Sequence, residues 1–264
     1  RSLAGIRKNG LVKRLESSFY AFQVSLDNFR QANKNMIDMF NRDKVFIAPD
    51  LDINNLLESG YTDEEIEEKL NAKAEDNPKN SVFKAEDFKP EFIEMLQSDQ
   101  DTLEKMCKAW EKITDADDSK YAKFNELLKH ELFKEDRNPE QKLVVFSESV
   151  DTVKYLERRI NRKDVLVISA DNRSKLFKTI RENFDANYKT KLNDYNIILT
   201  TDVLAEGVNL HRANVIVNYD TPWNSTRLMQ RIGRVNRIGS VSNHIYNYVF
   251  YPSREGNREI NLNQ

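Results

Sequence analysis

Along the first forty residues the apolar positions Leu11, Leu15, Phe19, Phe22, Leu26 and Phe29 recur at steps of three and four. That is the period of a helix with one buried stripe, and it predicts a long amphipathic helix over residues 1–40. Residues 41–135 are less regular and read as a helical side domain or insertion. Within it, Gly60 breaks the pattern, and Thr62 with Glu65 has the spacing of a capping box at a helix start. Helical periods return in Phe92, Met95 and Leu96, in Leu103, Met106 and Trp110, and in Tyr121, Phe124, Leu127 and Leu128.

The pattern changes at Lys142. Short apolar runs rich in branched residues now alternate with helical stretches: Leu143–Phe146, Val165–Ile168, Ile197–Leu199 and Val215–Val217, with Ile245–Phe250 as a further candidate strand. Alternation of this kind marks βαβ units and a parallel sheet, so residues 136–264 are expected to form an α/β domain. Ligands of such sheets sit at the carboxyl ends of the strands. The residues there are polar: Ser147-Glu148-Ser149, Ser169-Ala170-Asp171, Thr200-Thr201-Asp202 and Asn218-Tyr219-Asp220. Loop polarity alone also accounts for the first two sets.

The densest chemistry lies between Ile197 and Gly239. Asn224 or Ser225 suits a helix cap after Pro222-Trp223, and at about 100° per residue Leu228, Ile232 and Val235 would share one face while Gln230, Arg234 and Arg237 share another. Guanidinium forks match phosphate oxygens and keep their charge, so this face suits a phosphate held in fixed geometry; a solvated basic face fits the same spacing. Gly233 favours the first reading, because a helical glycine costs roughly 1 kcal/mol against alanine and close backbone approach would supply a reason for it. Asp202 and Asp220 read as caps or as ion-pair partners of the arginines, and Trp223 as a packing residue beside the helix start.

Composition narrows the class. The formal charge of −2 excludes coating nucleic acid by global charge, so any such contact must be local; basic residues gather at Arg227, Arg231, Arg234 and Arg237, whereas Asp63 to Asp76 is predominantly acidic. That acidic start of a helix is read as solvated, not as a metal box, and it disfavours duplex binding there. No apolar run approaches a membrane span, nothing near Arg1 reads as a signal peptide, and the single Cys107 leaves no internal disulfide; a cytoplasmic setting is expected. His130, His211 and His244 lack partners at ligand spacing, so no metal site of the protein's own is expected.

Five segments along the chain then resemble one family. QRIGRVNRIG, Gln230 to Gly239, resembles motif VI of superfamily-two helicases, and TTDVLAEGVNL, Thr200 to Leu210, resembles their motif V. LVVFSE, Leu143 to Glu148, resembles motif IV, while NYDTPWN, Asn218 to Asn224, and the early KRLESS, Lys13 to Ser18, are similar to the Swi/Snf-type branch and its bacterial relatives. The resemblance implies a C-terminal RecA-like lobe of a nucleic-acid translocase or helicase: a mainly parallel sheet flanked by helices and preceded by the helical region. It implies Arg234 and Arg237 as arginine fingers toward ATP held with magnesium on an N-terminal RecA-like lobe, and Gln230 as an indirect orienter of phosphate or water. Glu206, Gly207 and Asn209 would couple the nucleotide to the nucleic-acid groove, and Thr200, Thr201 and Ser147 would contact backbone phosphate, with double-stranded DNA as the expected partner.

The phosphate-binding G-x-x-x-x-G-K-[ST] does not occur, nor does a strand ending in Asp-Glu. The chain by itself is therefore expected neither to hydrolyse ATP nor to translocate, and both its ends read as cut. Ser169-Ala170-Asp171 departs from the family, which often places a glycine there. A non-catalytic adaptor built on the same lobe is the alternative; a dinucleotide oxidoreductase is set aside because G-x-G-x-x-G is absent.

Overall fold

A computed structural model describes residues 3–74, 77, 79–204, 208–222, 224–236 and 240–260, with side chains described at all of these except 3–8, 74, 259 and 260. The chain divides into two compact units, residues 1–22 with 114–264, and residues 23–113. In chain order the elements are α1 (Leu3–Ser17), α2 (Phe19–Asn41), β1 (Val45–Ile47), α3 (Ile53–Glu58), α4 (Asp63–Ala74), β2 (Ser81–Phe83), α5 (Pro90–Trp110), α6 (Ser119–His130), β3 (Leu143–Phe146), α7 (Val150–Ile160), β4 (Val165–Ile168), α8 (Arg173–Phe184), β5 (Ile197–Thr200), β6 (Val215–Asn218), α9 (Ser225–Val235), β7 (Tyr246–Val249) and α10 (Arg254–Ile260).

The sheet of the larger unit is parallel throughout, in the order β4-β5-β3-β6-β7. This is the α/β, RecA-like class expected, and each of the five apolar runs supplies a strand. Alternate side chains feed two cores. Leu143, Val145, Ile197, Leu199, Val215 and Val217 pack with Tyr121, Phe124, Leu128, Tyr155 and Leu156 of α6 and α7. Val144, Phe146, Ile198 and Ile216 face the other way, against Ile180, Phe184 and Val235 of α8 and α9. Burial on both faces explains why these strands read as unbroken apolar runs, with each large side chain contributing roughly 1.5–3 kcal/mol. From the central β3 the chain builds β4 and β5 on one side, then crosses to β6 and β7 on the other.

The helix expected over residues 1–40 is two helices, broken at Ser18. The Ser18 hydroxyl accepts the Ala21 N–H at 3.1 Å, the geometry of an N-cap, so the second helix starts afresh inside the apolar stripe.

In the smaller unit, the capping box at the start of α4 is formed: Thr62 N–H donates to Glu65 Oε2 at 2.8 Å and Glu65 N–H to Thr62 Oγ1 at 3.3 Å. A region read as helices and loops also holds a two-stranded antiparallel ribbon, with Val45 opposite Phe83. Its core gathers Met39, Phe40, Val45, Phe46, Ile66 and Leu70. No helix among the described residues is long and apolar enough to cross a membrane.

Candidate functional site

The carboxyl ends of β3, β5 and β6 converge on helix α9. Asn224 caps that helix, its Oδ1 accepting the Thr226 N–H at 2.8 Å. Of the apolar face expected from spacing, Val235 is buried and Ile232 packs beside it, while Leu228 is half-buried. Arg231 lies on the same side and is fully buried. Its Nε donates to Asp202 Oδ1 at 2.6 Å, in the turn after β5, and its Nη1 to Asn218 Oδ1 at 3.0 Å, at the end of β6. The guanidinium also sits 5.2 Å from the Phe146 ring centroid, at the end of β3. One side chain thus binds the helix to three strand ends. Arg227, one turn earlier and exposed, reaches Asp202 at 3.2 Å and Glu148 at 3.8 Å.

Asp220, just beyond β6, organises a second centre. Its carboxylate accepts from Ser147 Oγ at 2.5 Å, Glu148 N–H at 3.0 Å, Ser17 Oγ at 2.9 Å and Lys120 Nζ at 2.9 Å. Burial alone would raise this carboxyl, but the Lys120 charge and the donated hydrogen bonds hold it below the usual carboxylate range. Lys120 further donates to the carbonyls of Glu16 and Ser17, and Ser17 and Ser18 meet the Thr152 hydroxyl at 2.6 and 2.9 Å. The end of the KRLESS segment is therefore fastened at the carboxyl edge of the sheet. Beside it, Arg14 donates to the Ser149 hydroxyl that caps α7, at 2.7 Å. A cavity of about 250 Å³ opens here, lined among others by Arg14, Ser17, Lys120, Glu148, Asp220 and Phe250. Burial pushes the Glu148 carboxyl upward, against the lowering field of Arg231.

The residues singled out from sequence fall into three groups. Arg234 is half-buried and its backbone carbonyl accepts the Leu210 N–H at 3.1 Å, joining α9 to the segment that follows β5. Gln230 is exposed on the same helix, Asn209 and Thr201 are half-buried. Ser147 and Thr200 are fully buried, and their hydroxyls serve internal acceptors: Ser147 the Asp220 carboxylate, Thr200 the carbonyls of Ile168 and Thr201 at 3.2 and 3.0 Å. Arg237, Glu206, Gly207 and Trp223 lie outside the described residues.

Two readings change. An added Cβ at Gly233 meets nothing within 4 Å among the described residues, so none of those residues supplies the close backbone approach expected at that glycine. Among the described residues Asp220 pairs through its side chain with Lys120 and with no arginine, whereas Asp202 does take Arg227 and Arg231. The sequence motifs assign Arg231 no role of its own. Its spacing, three residues after Leu228 and four before Val235, nonetheless puts it on the apolar face. Among the described residues no cluster of His, Cys, Asp or Glu could hold a metal ion.

Residues 120–239, from the start of α6 past the end of α9, match the helicase conserved C-terminal domain family. An uncharacterized ATP-dependent helicase, YqhH, of Bacillus subtilis is 48% identical over 52 residues, covering 19% of this chain and 9% of that protein. A probable ATP-dependent RNA helicase, ddx51, of Dictyostelium discoideum is 29% identical over 119 residues, covering 43% of this chain and 21% of that protein. The chain thus matches less than a quarter of the length of either relative. A crystal structure of the C-terminal part of the Fun30 ATPase domain overlays 92% of this chain and 85% of its own at a TM-score of 0.44 and 16% identity. The stretch similar to the helicase C-terminal domain family thus falls within the α/β unit.

Proposed function

We propose that the chain is the second motor lobe of an ATP-dependent nucleic-acid translocase or helicase of the Swi/Snf type, supplying Arg234 and Arg237 to a triphosphate held with magnesium on an N-terminal RecA-like lobe. The observation that carries this reading is the burial of Arg231. Its ion pair with Asp202 ties α9 to the strand ends, and Arg234 follows on the same helix. A finger must hold position while charge develops on the transferred phosphoryl group, and a helix anchored at a buried guanidinium meets that need.

In this reading Gln230 orients phosphate or water from the exposed face. Glu206, Gly207 and Asn209 transmit the state of the nucleotide toward the nucleic acid. Thr201 is the direct phosphate contact, with Thr200 and Ser147 shaping the strand ends beneath it, because their hydroxyls are engaged internally. ATP and magnesium belong mainly to the other lobe, since this sequence has neither phosphate-binding loop nor acidic magnesium motif. The chain alone is inactive, and a cytoplasmic setting is part of the same reading.

Double-stranded DNA follows from the likeness of NYDTPWN to the Swi/Snf-type branch. RNA is the second reading, favoured by the likeness to the probable RNA helicase of Dictyostelium. The test is made in the longer protein carrying both lobes. Arg234→Ala and Arg237→Ala should each lower ATP turnover by roughly 10³-fold or more while leaving nucleic-acid binding nearly intact. Unchanged turnover would favour an adaptor that keeps the lobe as a binding surface. Stimulation of the unmodified protein by duplex DNA or by RNA separates the two substrates.

A further inference from the structure

The two units divide the charge of the chain sharply. Residues 23–113 carry 21 acidic and 12 basic side chains, a net of −9, while the remainder carries 29 basic and 22 acidic, a net of +7. The near-neutral total hides this separation.

On the acidic unit an apolar patch reaches the surface. Phe83 at the end of β2 and Phe92 in the first turn of α5 are both exposed, and each ring contacts Phe88, at 5.9 and 5.7 Å between centroids. Phe92 also leans on the core through Phe40, at 5.6 Å. One turn along α5, on the same face as Phe92, Met95 is 64% exposed. A soluble surface tolerates scattered apolar residues, but three joined aromatic rings continuing into an unbranched, adaptable methionine form a contact surface. Carboxylates rim it: between Glu86 and Glu104 there are seven acidic residues and one basic, Lys89. Glu91 and Asp99 stand four residues either side of Met95, with Glu94 beside it, and all three are exposed.

We propose that this patch is a docking site for a basic amphipathic protein segment, one whose apolar stripe covers Phe83, Phe92 and Met95 while its lysines or arginines meet the carboxylate rim. The charge selects the occupant. Nucleic acid and anionic lipid are both repelled by a surface of this sign, whereas a cationic helix with an apolar face is attracted by the rim and seated by the patch.

The probe is a fluorescein-labelled peptide designed as a Lys/Leu amphipathic helix, with a Glu/Leu and a Lys/Ser version as controls, and the readout is anisotropy against the full chain. Binding of the Lys/Leu peptide alone is expected. Met95→Asp, at an exposed position, should weaken it by about tenfold or more, and so should the triple reversal Glu91→Lys, Glu94→Lys, Asp99→Lys, which leaves the aromatic rings untouched. Equal binding of the Lys/Ser peptide, or full affinity in both variants, overturns the proposal. So does a concentration-dependent dimer abolished by Met95→Asp, because the occupant is then a second copy of this chain.

Discussion

The Nε of Arg231 donates to Asp202 Oδ1 at 2.6 Å, joining the middle of helix α9 to the turn after β5. The two groups differ in setting: the arginine side chain is fully buried, the aspartate 25% exposed and also within 3.2 Å of Arg227. Removing one partner is therefore not equivalent to removing the other.

Asp202→Ala leaves a guanidinium buried without a carboxylate, and it should cost roughly 3–5 kcal/mol. Arg231→Met leaves a partly solvated aspartate that still has Arg227, so its cost should be smaller. The double variant should recover part of the loss, with a coupling of roughly 1–3 kcal/mol. Urea denaturation of all four proteins measures the cycle. Equal single losses that simply add would show that the pair does not anchor the helix.

The strands of the α/β unit were legible because both their faces are buried, leaving runs such as Leu143–Phe146 and Val215–Asn218 almost free of polar residues. The polar strand ends and the cap at Asn224 were legible for local reasons too. What escaped depends on contacts distant in sequence. Strands β1 and β2 have three residues each and exist through pairing of Val45 with Phe83, so no local period announces them. The break at Ser18 hid because Leu15, Phe19 and Phe22 keep the helical period across it. The role of Arg231 rests on Asp202 and Asn218, which lie 29 and 13 residues away. Likewise Ser147 and Thr200 read as contacts to backbone phosphate because strand-end position says nothing about burial, and only the fold commits their hydroxyls to Asp220 and Ile168.

Lys142 supplies a pH dependence at the other end of β3. It is fully buried, donates to the Tyr195 carbonyl at 2.6 Å, and lies 5.2 Å from the Phe184 ring centroid. Burial, aided by the charge of Arg212, lowers its pKa to about 8. Between that value and the ordinary 10.5, the unfolded chain holds the proton that the folded chain has released, so stability should rise with pH across this window. Below it the charged amine is buried at full cost. Lys142→Met removes the titration, and the stability of the variant relative to the native chain should fall by roughly 2–3 kcal/mol between about pH 7 and about pH 10. Other lysines and tyrosines titrate in both proteins and cancel in the difference. A difference that stays constant with pH would mean that Lys142 releases its proton at the same pH folded and unfolded.

Gly233 offers a test of the proposed finger that does not remove an arginine. It lies inside α9 next to Arg234, where alanine is favoured by roughly 1 kcal/mol, and a Cβ built there meets nothing within 4 Å among the described residues. Gly233→Ala should therefore stabilise this chain by roughly 0.5–1 kcal/mol, read as a shift of the urea midpoint without change of slope. In the longer protein, where the proposed triphosphate and its lobe come up to the same helix, the added methyl would stand beside the finger. ATP turnover should fall there even though stability rises. Turnover that follows stability upward would mean that nothing approaches this face of α9 during the reaction, and the placement of Arg234 as a finger would fail with it.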